Sequence, residues 1–203
     1  MTAKATSTIS DQILQSLTDQ IISGQLPPEE KLRQDHIARA FHTSHVPVRE
    51  ALLRLEARGL AISLPRRGVR VAPFDPGDIF EIKTMRLALE PVALLHAIPL
   101  TSAGDLQRAR EAQAACDQAG DLHAWERANR RFHTAIVAPC GMGHLLASIE
   151  NLQNLGARHL LATWRSDWEG RTDRDHSAIV NAIARKDSDT AVAVLKRHLQ
   201  RLH

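Results

Sequence analysis

Two sets of side chains in this sequence could carry function, and they call for different chemistry. The first lies in Thr43-Ser44-His45-Val46-Pro47-Val48-Arg49-Glu50-Ala51-Leu52-Leu53-Arg54-Leu55. Val48, Leu52 and Leu55 recur at i, i+4 and i+7, a stripe that must be buried. His45, Val46 and Arg49 are left near the helix start on the outward side, where helix-turn-helix proteins meet base edges. Ser44 is suited to N-cap that helix through its hydroxyl, and Pro47 sits in the first turn, where a missing N–H costs little. The second set is histidine-rich. Asn129 and His133 are i and i+4 and share one helix face, His176 opens another helical pattern, and His198 stands near the end of the last. Neutral imidazoles suit borderline metals such as zinc or nickel. The chain has eleven histidines, so each taken singly also reads as an ordinary surface or core residue.

The elements that must hold these residues follow from periodicity. Ile13, Leu14, Leu17, Ile21 and Ile22 mark a first helix, which Gly24 can close with a left-handed cap. Pro27-Pro28 stops any continuation, and Leu32, Ile37, Ala38 and Phe41 outline a short second helix. After the Ser44 helix, closed by Gly59, Ala61–Leu64 and Val69–Val71 alternate like two strands around Pro65-Arg66-Arg67-Gly68. Three helices and a basic-tipped hairpin make a winged helix-turn-helix over residues 1–72.

Pro73-Phe74-Asp75-Pro76-Gly77 reads as a linker, 73–77. Beyond it no strand pattern occurs. Asp78 can cap a helix carrying Ile79, Ile82, Met85, Leu89 and Val92, and Ser102 one carrying Leu106 and Ala109. Further helical patterns run through about 121–138, 142–165, 172–186 and 188–202, with short connections that make neighbours antiparallel. Residues 78–203 therefore form an all-α bundle of about six helices, and the fold class is mainly α. Trp164 and Trp168, also i and i+4, read as packing or pocket wall.

Charge and composition narrow the function. Residues 1–72 contain ten Lys/Arg against seven Asp/Glu, and residues 73–203 sixteen of each, so the whole excess of +3 lies in the winged helix. Basic side chains on one face gain affinity by releasing counterions from phosphates. Tyrosine is absent and aromatics are 3%, which disfavours stacking on single strands. No apolar run approaches the roughly 18 residues of a membrane span, and Met1–Ser10 lacks a signal-peptide core. Cys116 and Cys140 have no CxxC spacing, as expected of small buried thiols in a reducing cytoplasm.

The pattern Ile22-x-Gly24-x-Leu26-x-Pro28, Leu32, Ile37-Ala38, Ser44-His45-x-Pro47-Val48-Arg49-Glu50-Ala51-Leu52-x-x-Leu55-x-x-x-Gly59-Leu60, Arg67-Gly68-Val69-x-Val71 resembles the DNA-binding domain of GntR-type transcription regulators. It departs twice: Glu29 stands where glycine is usual, and His45 where arginine is usual. Arg86-x-x-x-Glu90-Pro91, Asn129-x-x-Phe132-His133-x-x-Ile136 and the His176 and His198 segments resemble the FCD effector domain of the FadR subfamily, in its shorter VanR-like form.

The resemblance implies DNA contacts from Arg33, Ser44, His45, Val46, Pro47, Arg49, Arg66, Arg67 and Gly68. It implies a divalent ion, zinc or nickel, on Asn129, His133, His176 and His198, with asparagine in place of the usual aspartate. It also implies a small organic acid, for which Arg86 could form a bidentate clamp; the plainer reading of Arg86 and Glu90 is a weak i, i+4 surface pair. The expected protein is a homodimeric, cytoplasmic regulator of double-stranded operator DNA, most often a repressor in such families, and not an enzyme. A catalytic reading of the histidines lacks a general base and leaves the winged helix unexplained. The competing reading is a metal sensor, with the ion itself as signal.

Overall fold

The structure, a computed structural model, describes residues 7–75, 77–164 and 173–201. The chain divides into two compact units, Met1–Asp75 and Pro76–His203.

In the first unit, α1 (Ile9–Ile22) begins with a reciprocal capping box between Thr8 and Asp11, which satisfies two orphan groups of the first turn. Its buried face is Ile13, Leu14, Leu17, Ile21 and Ile22, as the periodicity requires, and Gly24 follows at φ +77°. The short α2 (Gln34–Ala40) ends at His42, φ +49°, where the Thr43 N–H reaches back to Ala38 O and turns the chain into α3 (His45–Ala57). Val48, Ala51, Leu52 and Leu55 anchor α3 in the core. The Arg54 guanidinium bonds Asp11 at 2.6 Å, tying α3 to the start of α1 and holding the Asp11 carboxyl down at about 2.

The wing is β1 (Ala61–Leu64) paired antiparallel with β2 (Gly68–Val71). Residues 29–32 run along the other edge of β2: Glu29 and Leu32 donate to Val71 and Val69, and Val71 donates to Glu30. That third pairing was not visible in the sequence, because two prolines and two glutamates mask it. Ser44 occupies the N-cap position of α3, but its hydroxyl makes no capping hydrogen bond, contrary to expectation. It is exposed and thus available outward.

The second unit contains α4 (Asp78–Leu100), α5 (Ala103–Asp117), α6 (Leu122–Val137), a 3-10 turn (Ala138–Cys140), α7 (Gly143–Thr163), α8 (Arg174–Ala184) and α9 (Ser188–Arg201). Ser102 and Asp105 form a second capping box at α5. Helix α4 packs on α7 and α9, α5 on α6, and α8 on α9. Their shared core includes Leu94, Ile98, Phe132, Ile136, Ile179 and Leu195. Lys186, in the α8–α9 turn, donates to Ile98 O and Thr101 O and so satisfies carbonyls at the end of α4. Both cysteines are free and buried, and burial pushes the Cys116 thiol up to about 12, which makes it unreactive.

Helix α4 corrects the expected apolar stripe. Asp78 begins the helix rather than capping it, since Gly77 is the N-cap. Ile82 is buried, but Met85 and Val92 are 42% and 45% exposed. The inward side carries Arg86 and Glu90 instead. Polar groups can occupy a core face when they satisfy one another, as these do.

Candidate functional site

At the start of α3, His45 and Arg49 are exposed and Val46 is 66% exposed. A bare valine beside basic side chains is a poor solvent surface, but it can meet a thymine methyl in a major groove. His45 Nε2 lies 3.6 Å from Asp35 Oδ1 of α2. Arg33, at the N-cap of α2, is exposed. Pro47 is half-buried in the first turn of α3. At the wing tip Pro65, Arg66, Arg67 and Gly68 are all exposed, with the Arg67 N–H closing the turn onto Leu64 O. Arg66 has φ +61°, a left-handed conformation that costs an arginine energy a glycine would not lose. Strain of this kind is retained mostly where the side chain has a task.

The second constellation is interior. His133 on α6, His176 on α8 and His198 on α9 are 0%, 0% and 5% exposed. One nitrogen from each falls within 4.8 Å of the others, and His133 Nε2 stands 3.2 Å from His198 Nε2. The His176 ring stacks on Phe132 at 3.9 Å. Asn129 sits one turn before His133 on α6, 6% exposed. Trp125, Phe132, Ile136 and Val137 bury the same helix, so the amphipathicity of α6 itself turns Asn129 and His133 inward.

Carboxylates set the nitrogens. Glu90, fully buried, accepts from His133 Nδ1 at 2.8 Å and from Arg86 Nε at 2.6 Å. Burial opposes its ionisation, but the Arg86 charge and the hydrogen bonds from His133 and Arg86 overcome that and hold the carboxyl at about 2. With Nδ1–H given to Glu90, His133 keeps its Nε2 lone pair for the interior. His198 Nδ1 lies 3.6 Å from Asp173 Oδ2 and 3.9 Å from Asp175 Oδ2. Asp173 also N-caps α8, and Asp175 is held by Arg197 and Arg201. Burial, then repulsion from the neighbouring histidines, lowers His176 to about 2. Burial likewise lowers His198 to about 4, against the pull of Asp173 and Asp175. Both rings are therefore neutral lone-pair donors near neutral pH.

These residues fit a borderline divalent cation. His176 Nδ1 and Nε2 and Asn129 Oδ1 are buried without a hydrogen-bond partner. An imidazole with both nitrogens orphaned is costly unless a ligand completes it. Two donors on one ion, each at about 2.0–2.1 Å, stand roughly 3 Å apart, comparable to the Nε2 pair here.

A small pocket of about 40 Å³, open to solvent, is lined by Ile82, Arg86, Asn129, Arg130, Gln153 and Gly156 among others and meets this cluster at Asn129. Of the two readings of Arg86 and Glu90, the weak surface pair is excluded, since their side chains are 11% and 0% exposed. Gly156 lies beside Arg86: a Cβ there would be in ordinary contact with Arg86 Nη1, 3.6 Å away. Glu126, also lining the pocket, is raised above the usual carboxylate range by burial, against the pull of Arg130. Trp164 ends α7 half-buried, and Trp168 lies outside the described residues.

Sequence reasoning paired Glu90 with Arg86 but not with His133, and it missed Asp173, Asp175 and Gln153. These become visible only when helices meet.

The winged unit with its strained basic tip and the helical unit with its histidine cluster now stand beside known proteins. Residues 9–71 match bacterial regulatory proteins of the gntR family, and residues 79–201 match the FCD domain. The chain belongs to the GntR family and carries an FCD domain. It is 30% identical over 198 residues to the HTH-type transcriptional repressor GlaR of Escherichia coli, covering 90% of this chain and 89% of that protein. It is 29% identical to a probable D-xylose utilization operon transcriptional repressor of Paenarthrobacter nicotinovorans, covering 95% and 86%. Among solved structures it is similar to E. coli McbR/YncC, with TM-score 0.82, 25% identity and coverage of 97% and 95%. This GntR-family protein is a DNA-binding transcriptional regulator, and its relatives include named repressors. No helix among the described residues is long and apolar enough to cross a membrane.

Proposed function

We propose that this regulator is a cytoplasmic, homodimeric repressor whose operator binding is controlled by a small carboxylate in a metal-containing pocket of its FCD domain. The observation that carries the reading is His176: a fully buried, neutral imidazole beside His133 and His198, with no hydrogen bond to either nitrogen and with Nε2 3.6 Å from Asp173 Oδ2. Asn129, His133, His176 and His198 would hold zinc or nickel, which when bound supplies a Lewis-acidic positive charge for an anionic ligand. Glu90 holds the His133 tautomer, Phe132 supports the His176 ring, and Arg86 lines the pocket from which the acid would enter. Residues 1–72 read DNA, 73–77 link, and 78–203 bind effector and partner.

Arg33, Ser44, His45, Val46, Pro47 and Arg49 form the groove-reading surface, and Arg66, Arg67 and Gly68 the wing contact. One short helix reads only a few base pairs, so a symmetric dimer meets a pseudo-palindrome. Helix α4 supports self-association: Met85, Ala88, Val92 and Leu95 are exposed at heptad spacing, a seam suited to its own copy. Effector binding then favours an arrangement whose recognition helices no longer match the half-sites.

The test compares chelated and zinc-loaded protein on operator DNA, with and without organic acids. Release that needs both zinc and an acid supports the reading. Release or capture governed by zinc alone makes the ion the signal, and indifference to both removes the metal pocket from control.

A further inference from the structure

The orphaned polar atoms around the pocket divide by chemistry. Asn129 Oδ1 and one nitrogen of the neutral His176 ring can give a lone pair to a cation. Gln153 Nε2 cannot, because an amide NH2 offers only protons. Gln153 is 2% exposed on α7 and lines the pocket with Asn129, Arg86 and Arg130. Thr134 Oγ1 donates to its Oε1 at 3.2 Å, and in this orientation of the amide Nε2 is the end left without a partner. A buried donor with no acceptor, beside a set of cation ligands, calls for an oxygen that the protein does not supply.

We infer that Gln153 is a specificity residue of the effector pocket, and that the effector is a short carboxylate bearing a second acceptor oxygen, a hydroxyl or another carboxylate, which accepts from Gln153 Nε2. The inference rests on the carboxylate-pocket reading above. Sites built to hydrogen-bond a ligand group discriminate strongly against analogues that lack it, because the site donor is then left buried and unpaired. A plain acid of the same length therefore leaves Gln153 unsatisfied, while its hydroxy or dicarboxylic counterpart does not. The preference is then written in one residue of α7, apart from the histidines.

The experiment uses the zinc-loaded full chain and follows thermal shift on titration with straight-chain acids of three to five carbons. Each acid is compared with its 2-hydroxy acid and with the dicarboxylic acid of equal length. The parent protein should prefer one of the two-oxygen ligands by roughly tenfold or more. Gln153→Met, close in shape but without donors, should bring that ratio to about one. Gln153→Glu, which can keep the Thr134 bond, should also abolish the preference. Zinc content should stay at the parent level in both, separating lost recognition from a lost metal site. A parent without preference, or folded zinc-loaded variants that keep it, would overturn the role of Gln153. If no acid shifts the parent, the carboxylate reading itself fails and this inference falls with it.

Discussion

His45, Val46 and Arg49 project from α3 into solvent, whereas His133, His176 and His198 lie at 0 to 5% exposure inside the α4–α9 unit. The first unit displays its chemistry on a surface whose core is ordinary: Val48, Leu52 and Leu55 anchor the helix, and the outward residues take no part in that packing. The second unit builds its chemistry from its core, so that Phe132 and Leu199 pack where His133 and His198 converge. The contrast teaches how each responds to change. A surface reader can lose a side chain at little cost in stability, because solvent replaces it. An interior site couples metal, ligand and fold, because each polar group there depends on a partner.

The largest effect expected from breaking this contrast is His176→Ala. Removing one of three imidazoles should take zinc content from about one equivalent per chain to near zero and abolish any acid response. Operator binding should persist, because the residues proposed to contact DNA lie in the other unit. Metal analysis and a mobility-shift titration on the same preparation check it; retained zinc would dissolve the cluster as a metal centre.

Arg49→Ala should do the reverse. A guanidinium on guanine discriminates by about 1–3 kcal/mol, so specific binding should weaken about ten- to a hundredfold with the melting temperature unchanged. Replacing Arg66 and Arg67 instead should weaken specific and unrelated DNA alike, and flatten the log–log salt slope by about 0.9 for each phosphate no longer neutralised. Equal operator affinity for parent and Arg49→Ala in matched salt would move the reading face elsewhere.

Acid should separate the units further. His176 and His198 are held at about 2 and about 4, below their ordinary 6.5. As pH falls below 6.5 the unfolded chain takes up these protons first. The stability of the metal-free second unit is therefore present above 6.5 and lost as pH drops toward 4, by up to about 1.4 kcal/mol per pH unit for each histidine. Asp173 and Asp175 face His198 and oppose its share of the loss. Trp125, Trp164 and Trp168 all lie beyond residue 76, so tryptophan fluorescence during thermal melts at pH 7 and pH 5 follows this unit alone. A midpoint independent of pH would show that these histidines do not titrate as their burial requires.

The smallest effect concerns backbone. Glu29 holds φ +67°, where the GntR-type pattern leads one to expect glycine, and its N–H and O are spent on Val71 and Arg70. Glu29→Gly should relieve that strain and stabilise the first unit by about 0.5–1 kcal/mol, net of the entropy glycine loses on folding. Circular dichroism of the two melting transitions reads it; an unchanged first-unit transition would place no strain there.

Much of the first unit was legible in the sequence, because local rules act there. Period-3.6 stripes, Gly24 and Gly59 at positive φ, and a basic turn between alternating residues each report on a few neighbours along the chain. The Ser44 hydroxyl, which makes no capping bond, and residues 29–32, which join β2, escaped because solvent and a distant strand decided them. Spacing alone also put Asn129 and His133 on one face of α6, since one turn of helix fixes that. What drew His133 to Glu90, 43 residues away, and to His198, 65 residues away, was the packing of α4, α6 and α9. Packing likewise turned the Arg86–Glu90 face of α4 inward and left Met85 and Val92 outside. Sequence spacing determines which side chains share a helix face; only the docking of helices decides which face is buried, because burial follows from which polar groups can satisfy one another across the core.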